Sequence, residues 1–243
     1  MQGSGPFQGV RQVTSNQEDI YKDLESVVRK YASTVFLRPV ADHTRAAFEE
    51  SQKFIEDFYT KGSANGDAPG HKATQVVLDS GCGTGESTLH LARKFQGMPV
   101  VGIDKSAARL SRAASEAPPN AFWVRAELLD FWRLALEKVR TGEWEIPYHA
   151  VYYPNPWPKQ SEATRRFHLH PIFPTLMRLA RVTELRTNWE IYAREFAEAV
   201  RVLNIGMTAD CVPFDAQEPQ TAFERKYKEA RQQLWRVVVS KKA

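Results

Sequence analysis

An apolar run, Val76-Val77-Leu78, passes through Asp79 and Ser80 into Gly81-Cys82-Gly83-Thr84-Gly85, and a second run, Val100-Val101-Gly102-Ile103, ends on Asp104, 19 residues past Gly85. No other stretch constrains the fold as strongly. Glycine reaches positive φ without a Cβ penalty, so a turn with three of them lets the backbone pass close to a ligand. A carboxylate at the tip of the next strand can accept both hydroxyls of a ribose. With the helical pattern that follows Gly85, this order predicts a nucleotide site at the carboxyl ends of parallel strands.

A dinucleotide site calls for Gly-x-Gly-x-x-Gly, whose third glycine lets the helix lie close beneath a pyrophosphate. This chain has Gly81-x-Gly83-x-Gly85 instead. Asp79 at the turn would repel a diphosphate but could pair with an amino group. The spacing and the acid resemble the class I methyltransferases, which bind S-adenosylmethionine, a cation at both its sulfonium and its amino group. NAD is therefore disfavoured.

The 243 residues are enough for one generous domain, or for a domain with an added helical piece. No apolar run approaches the roughly 18 residues that a membrane span needs. The first twenty residues, rich in Gln, Gly and Ser, lack the apolar centre of a secretory signal, so a cytoplasmic location is expected. Cys82 and Cys211 match no metal-ligand spacing and are expected to be reduced thiols, Cys82 for its small size at a crowded position. The net charge of +4 is unevenly spread: six Lys or Arg (Lys159, Arg165, Arg166, Arg178, Arg181, Arg186) face two Glu between Asn155 and Trp189. Residues 221–243 hold seven Lys or Arg against two Glu. Either a phosphate-bearing partner or a solvated helix face would account for this.

Apolar residues at helical spacing (Leu24, Val27, Val28, Tyr31; Phe48, Ile55, Phe58, Tyr59) predict two amphipathic helices over 17–60, interrupted near Pro39. Lys61 to Gly70 reads as a flexible link. Strand and helix then alternate: strands over 75–80, 99–104 and 122–125, helices over 86–96, 106–115 and 128–139. A fourth strand, Tyr148 to Tyr153, runs into Pro154-Asn155-Pro156-Trp157-Pro158-Lys159, which three prolines bar from helix and sheet. Beyond it come a helical stretch broken by Pro171 and Pro174, a strand over 183–186, a helix over 189–202, and β-like runs at 207–212 and 234–239 around a helix at 221–232. The expected class is α/β, a Rossmann-like, doubly wound, mostly parallel sheet over 71–243, with a helical N-terminal extension over 1–70. Ligands of such sheets bind at the carboxyl ends of the strands, so the proline-rich loop is expected at the same crevice as the glycine turn.

Tyr153-Pro154-Asn155-Pro156-Trp157-Pro158-Lys159, with Arg165-Arg166 beyond it, resembles the signature of the tRNA (guanine-N7)-methyltransferases, Phe-Pro-Asp-Pro-Trp-x-Lys with a basic pair. Thr187-Asn188-Trp189-x-x-Tyr192 and Thr221-Ala222-Phe223-Glu224-Arg225 resemble two later motifs of that family, and Ser15-Asn16-Gln17 gives a weaker echo. The resemblance implies S-adenosylmethionine as cofactor and tRNA as partner. Carried over by position, it implies donor contacts at Asp79, Asp104, Glu127 and Asn155, the last also at the reacting centre, around a turn shaped by Gly81, Gly83 and Gly85. It implies tRNA contacts at Lys159, Asn188, Thr221, Ala222, Phe223 and Glu224. In physical terms, Asp104 can take ribose hydroxyls, Glu127 the adenine amine, and Lys159 a phosphate. Glu127 also fits a plain helix-start acid, and Phe223 fits core packing.

Asn155 and Asn188 stand where the family has acids, so two charges are missing beside the expected guanine pocket. Guanine N7 has a free lone pair and needs alignment more than a base, so the reaction can survive that loss. Two alternatives stay open: a methyltransferase for another nucleophile, an exocyclic amine or a small molecule, and a weakened RNA-binding member of the family. His168 and His170 are expected to contact phosphate or to serve structural hydrogen bonds. Trp157 and Trp189 are expected either to stack on a base or to pack against the sheet.

Overall fold

The computed structural model describes residues 12–62, 73–113 and 116–242. Both expected N-terminal helices form, α1 (Leu24–Ala32) and α2 (Asp42–Gly62), with a break between them at Pro39. They do not form a body of their own. The chain separates into two densely packed units, and α1 belongs to one, α2 to the other. The expected link begins later than the sequence indicated, because Lys61 and Gly62 continue α2. Its remainder lies outside the described residues.

The first unit comprises Leu37–Ala150 and Thr175–Val182. Its strands are β1 (Thr74–Gln75), β2 (Val77–Ser80), β3 (Val100–Asp104), β4 (Ala121–Arg125), β5 (Trp144–Glu145) and the start of β6 (Tyr148–Tyr152). β1 pairs with β5, a short parallel pair that the sequence did not signal. The order β4-β3-β2 is parallel throughout, Val77 opposite Val100 and Ile103 opposite Val124. Val77, Leu78, Val100, Val101 and Ile103 are all fully buried, as befits continuous apolar strands covered on both faces. Between them run α3 (Glu86–Lys94), α4 (Ala107–Leu110) and α5 (Leu128–Arg140). α4 is a single turn, and the rest of the helix expected over 106–115 continues as turns through Ala113.

α2 packs on α5 and β4 through aromatic rings: Phe48 meets Phe131 at 5.0 Å and Trp144 at 5.1 Å, and Phe54 stacks on Phe122 at 4.8 Å. Burying such a ring contributes roughly 1.5–3 kcal/mol. A polar tie accompanies it. Asp130, wholly buried on α5, accepts hydrogen bonds from Arg38 Nη2 at 2.9 Å and the Ala41 amide at 3.2 Å.

The second unit comprises the described residues up to Phe36, Val151–Pro174, and the chain from Thr183 onward. α6 (Phe173–Leu179) starts at its edge; Pro174 lies in the first helical turn, where its missing N–H costs nothing, so this proline begins a helix rather than breaking one. β7 (Val182–Thr187), β9 (Leu234–Lys241) and β8 (Met207–Phe214) follow in the order β7-β9-β8, and β8 and β9 are antiparallel, with Phe214 opposite Leu234. β8 runs two residues past its expected end at Val212 because it is an edge strand, which tolerates Pro213. α7 (Glu190–Leu203) packs on β8, β9 and α1, and α8 (Ala222–Glu229) stops where Arg231 turns left-handed at φ 52°. The expected α/β, Rossmann-like class with a mostly parallel sheet holds. No helix among the described residues is long and apolar enough to cross a membrane.

Candidate functional site

In the first unit, Gly81, Gly83 and Gly85 all take positive φ, 80°, 61° and 81°. Two amides of the turn, Gly81 and Cys82, donate to Ile103 O at 2.8 and 3.1 Å and so dock it on β3. The glycines serve different ends. A Cβ added at Gly81 or Gly83 would meet nothing within 4 Å, so the space over the turn is open. At Gly85 a Cβ would lie 2.2 Å from Trp123 Nε1, and at Gly102 it would lie 2.4 Å from Thr88 Oγ1. Gly85 and Gly102 thus make room for side chains packed behind the turn. The Trp123 indole N–H is buried there without a hydrogen-bond partner.

Asp104 closes the turn. Its carboxylate accepts from the Gly83 amide at 3.0 Å and the Ser106 amide at 2.8 Å, and pairs with Arg109 at 3.0 Å. Asp79 is buried at the first turn of α3 and accepts both the Ser87 and Thr88 hydroxyls at 2.6 Å, a negative charge at the favourable end of the helix dipole. Glu127 occupies the N-cap position of α5, yet its carboxylate makes no capping bond; the residue's amide donates to Thr44 Oγ1 at 3.1 Å. The Glu127 residue is half-buried. Burial, then the carboxylates of Asp79 and Asp104, push the Cys82 thiol well above its ordinary pKa, so it stays protonated, and both cysteines are free. Beneath the turn, Ser80 Oγ sits 2.7 Å from His149 Nε2 and accepts the Trp132 indole N–H at 2.8 Å. Burial holds His149 down to about 3, a neutral ring at physiological pH.

The proline-rich loop lies in the second unit and is bounded by two bulky residues in left-handed backbone, Tyr153 at φ 51° and Trp157 at φ 46°. The Tyr153 amide donates to Arg186 O at 2.8 Å. Asn155 is exposed, and its side-chain carbonyl accepts the Trp157 amide at 3.3 Å, closing an Asx turn. The Trp157 ring is covered by the Arg165 guanidinium at 4.6 Å, and Lys159 is exposed.

Of the basic pair, only Arg165 reaches the surface. Arg166 is wholly buried and donates from Nε and Nη2 to Trp157 O at 3.2 and 2.9 Å, and from Nη1 to Glu195 Oε2 at 2.7 Å. Glu195 also receives Gln17 Nε2, the Tyr21 amide and His168 Nε2, at 2.6, 2.7 and 2.8 Å. Burial pushes the Glu195 carboxyl up, but the bonds from His168, Arg166 and Gln17 outweigh it and leave it at about 2. His168, fully buried, has its pKa lowered by desolvation and serves structure. Trp189 is buried beneath Arg166, its ring 4.8 Å from the guanidinium. Sequence reasoning missed this hub. Its signal was an acid, Glu195, on the apolar face that Tyr192 and Ala199 mark on α7.

The expected tRNA-contact residues divide. Thr221 is the N-cap of α8 and accepts the Glu224 amide at 3.0 Å. Glu224 is fully buried and accepts from the Gln220 amide at 2.7 Å and from Arg186 Nη1 at 2.8 Å, so it anchors α8 and is not presented to solvent. Ala222 is exposed, and Phe223 is 47% exposed, its ring near those of Tyr153 at 6.0 Å and Tyr227 at 6.1 Å. Asn188 donates to Gln232 Oε1 at 3.0 Å. The run of cations over 155–189 is largely neutralised: Arg166 and Arg186 are buried in ion pairs, Arg165 pairs with Glu162, and Arg181 pairs with Glu145. Buried acids, Glu195, Glu184 and Glu224, hold the two buried bases, and Lys159 and Arg165 remain at the surface.

The family profile described as a methyltransferase domain matches residues 77–141, the stretch from β2 to the end of α5. The tRNA (guanine-N(7)-)-methyltransferase of Mycolicibacterium gilvum (strain PYR-GCK) is 30% identical over 62% of this chain. That of Stutzerimonas stutzeri (strain A1501) is 28% identical over 65% of this chain and 69% of its own length. The chain spans 62% of the length of the first of these relatives. A solved structure described as an antibiotic-related methyltransferase superposes with a TM-score of 0.53 at 15% identity, covering 86% of this chain and 97% of the other. The resemblance read from the sequence is thus borne out: residues 77–141 match the methyltransferase-domain profile, the two tRNA (guanine-N(7)-)-methyltransferases are similar to this chain, and the fold is that of the solved methyltransferase.

Proposed function

We propose that this protein transfers a methyl group from S-adenosylmethionine to N7 of a guanine in tRNA. The observation that carries the donor half is the junction of Asp104 with the glycine turn, where a carboxylate at a strand tip is bonded to the Gly83 amide beneath open space. Those residues fit the group: two glycines whose missing Cβ atoms leave the turn uncovered, and Glu127 with an acid not spent on capping. S-adenosylmethionine, when bound, supplies an electrophilic methyl carbon on its sulfonium.

Asp104 would accept the ribose hydroxyls. A carboxylate has about four acceptor positions, and three are taken by Gly83, Ser106 and Arg109. Arg109, 46% exposed, is the partner able to withdraw and free the second position. Glu127 would accept the adenine amine. Asp79, fixed by two hydroxyls, would supply negative potential for the donor's amino group. Guanine N7 carries its own lone pair, so the chain's task is to align it and exclude competing geometry.

The tRNA half is supported by the two relatives and by the loop. Asn155 makes the Asx turn through a carbonyl oxygen that Asp would also provide, so its replacement of the acid keeps the loop's shape and removes only charge. Phe223 offers an exposed ring for stacking and Lys159 an exposed cation for a phosphate. The absence of charge at Asn155 and Asn188 also favours a second reading, transfer to an exocyclic amine, in which an amide carbonyl accepts the amine hydrogen bond.

The test is incubation of the protein with labelled donor and unmodified tRNA, followed by mass spectrometry of the modified base. Label at guanine N7 is the expected result; label on an exocyclic amine establishes the second reading. Donor binding with no transfer to any RNA sinks both. In calorimetry, Asp104→Ala should weaken donor binding at least tenfold, about 1.4 kcal/mol.

A further inference from the structure

We infer that Gln17 is a positioning residue for the proline-rich loop, because its side-chain amide bridges Arg166, which grips the loop backbone, and Glu195, which anchors Arg166. This deepens the reading of that loop as the substrate-facing one and rests on it.

The loop needs holding. Non-glycine residues in left-handed backbone cost about 1–2 kcal/mol each and persist only where their surroundings over-determine them. Tyr153 and Trp157 are both of this kind, four residues apart. Trp157 O is gripped by two donors of the Arg166 guanidinium. The guanidinium in turn is aimed from behind: Gln17 Oε1 accepts both Nη1 and Nη2 at 3.1 Å, and Glu195 accepts Nη1. Gln17 Nε2 completes the bridge by donating to Glu195 Oε1 at 2.6 Å and to Asp19 O at 2.6 Å.

A second tie comes from the same N-terminal segment. Ser15 Oγ accepts the Gln17 amide at 3.0 Å and donates to Pro158 O at 2.6 Å. Residues 15–17 therefore touch the loop twice, once directly and once through Arg166. The rest of the hub does not need Gln17. Arg166 and His168 still pair with Glu195 when it is gone, so truncating Gln17 should loosen the aim of Arg166 without stranding a buried charge.

The experiment compares Gln17→Ala and Ser15→Ala with wild type in amide exchange and in donor-dependent transfer to tRNA. Gln17→Ala should exchange at least fivefold faster at the Tyr153, Trp157 and Lys159 amides, with β2 and β3 amides unchanged. Donor affinity should stay the same while kcat on RNA falls at least fivefold. Ser15→Ala, which removes the direct tie and the acceptor of the Gln17 amide but keeps the Gln17 side chain on Arg166 and Glu195, should move both readouts less and serves as the test if Gln17→Ala does not fold. Unchanged loop exchange in the variants overturns the proposal, as does faster exchange with undiminished turnover. If wild type modifies no RNA, the exchange result still decides whether Gln17 holds the loop, and the functional reading fails separately.

Discussion

The glycine turn and the proline-rich loop both lead the chain through left-handed backbone, and they do so by opposite means. The turn uses Gly81, Gly83 and Gly85, for which positive φ carries no side-chain penalty. The loop uses Tyr153 and Trp157, for which it does, and offsets the strain with Arg166, Ser15, Asn155 and the Arg186 carbonyl. A turn made of glycines holds its shape with few partners. A loop made of aromatics presents larger surfaces but depends on a scaffold drawn from far along the chain.

The contrast can be broken or sharpened by mutation, and the largest effect should come from the scaffold. Arg166→Ala leaves Glu195 buried beside neutral partners and should cost roughly 3–5 kcal/mol in denaturant unfolding. A loss under about 1 kcal/mol would mean the loop does not rely on this hub.

Acid titration should come next, because buried neutral or bonded groups lie in both regions. The folded-state pKa of His149 is depressed from 6.5 to about 3, so the unfolded chain binds the extra proton first. Stability should fall as pH drops from 6.5 towards 3, by a few kcal/mol at about 1.4 kcal/mol per pKa unit. Glu195, depressed from 4.5 to about 2, adds a further loss below pH 4.5. A His149→Gln variant should reduce the first part of the fall, leaving the share of His168, whose pKa burial also lowers, and should leave the Glu195 loss in place.

Within the turn, Gly85→Ala should cost more than Gly83→Ala in thermal unfolding. The first meets Trp123 at 2.2 Å as well as the φ penalty, for roughly 3 kcal/mol, and the second meets only the φ penalty, about 1 kcal/mol. Equal losses would show that Trp123 yields freely. Smallest of all, Trp157→Gly removes strain of about 1–2 kcal/mol and a cation–π contact of about 0.5–1 kcal/mol, so stability should change by less than about 1 kcal/mol.

The same contrast explains what could be read in advance. Glycine is itself a sequence signal for positive φ, and Val100 to Ile103 announce a strand buried on both faces, so the turn, β3 and Asp104 were legible to within a residue. Arg109 was not, because its approach to Asp104 depends on the one-turn α4 ending where no proline or glycine marks a stop. Nothing in Tyr153 or Trp157 announces left-handed backbone, and nothing local to Arg166 says that it is buried. Its partners Gln17 and Glu195 lie 149 and 29 positions away. The resemblance located the loop, but local pattern could not say which of its residues face outward, and so Glu224 was assigned to RNA although it anchors a helix.

The hub also sets an order of events during synthesis. The Asp104–Gly83 bond spans 21 positions, and the turn can close soon after β3 leaves the ribosome. The loop cannot: Arg166 has no counter-ion until Glu195 has been made, and Gln17, 149 positions ahead of Arg166, must wait unpaired for both. Closing so long a circuit is entropically slow, so the half of the molecule around the glycines should be formed while the loop is still awaiting its anchor.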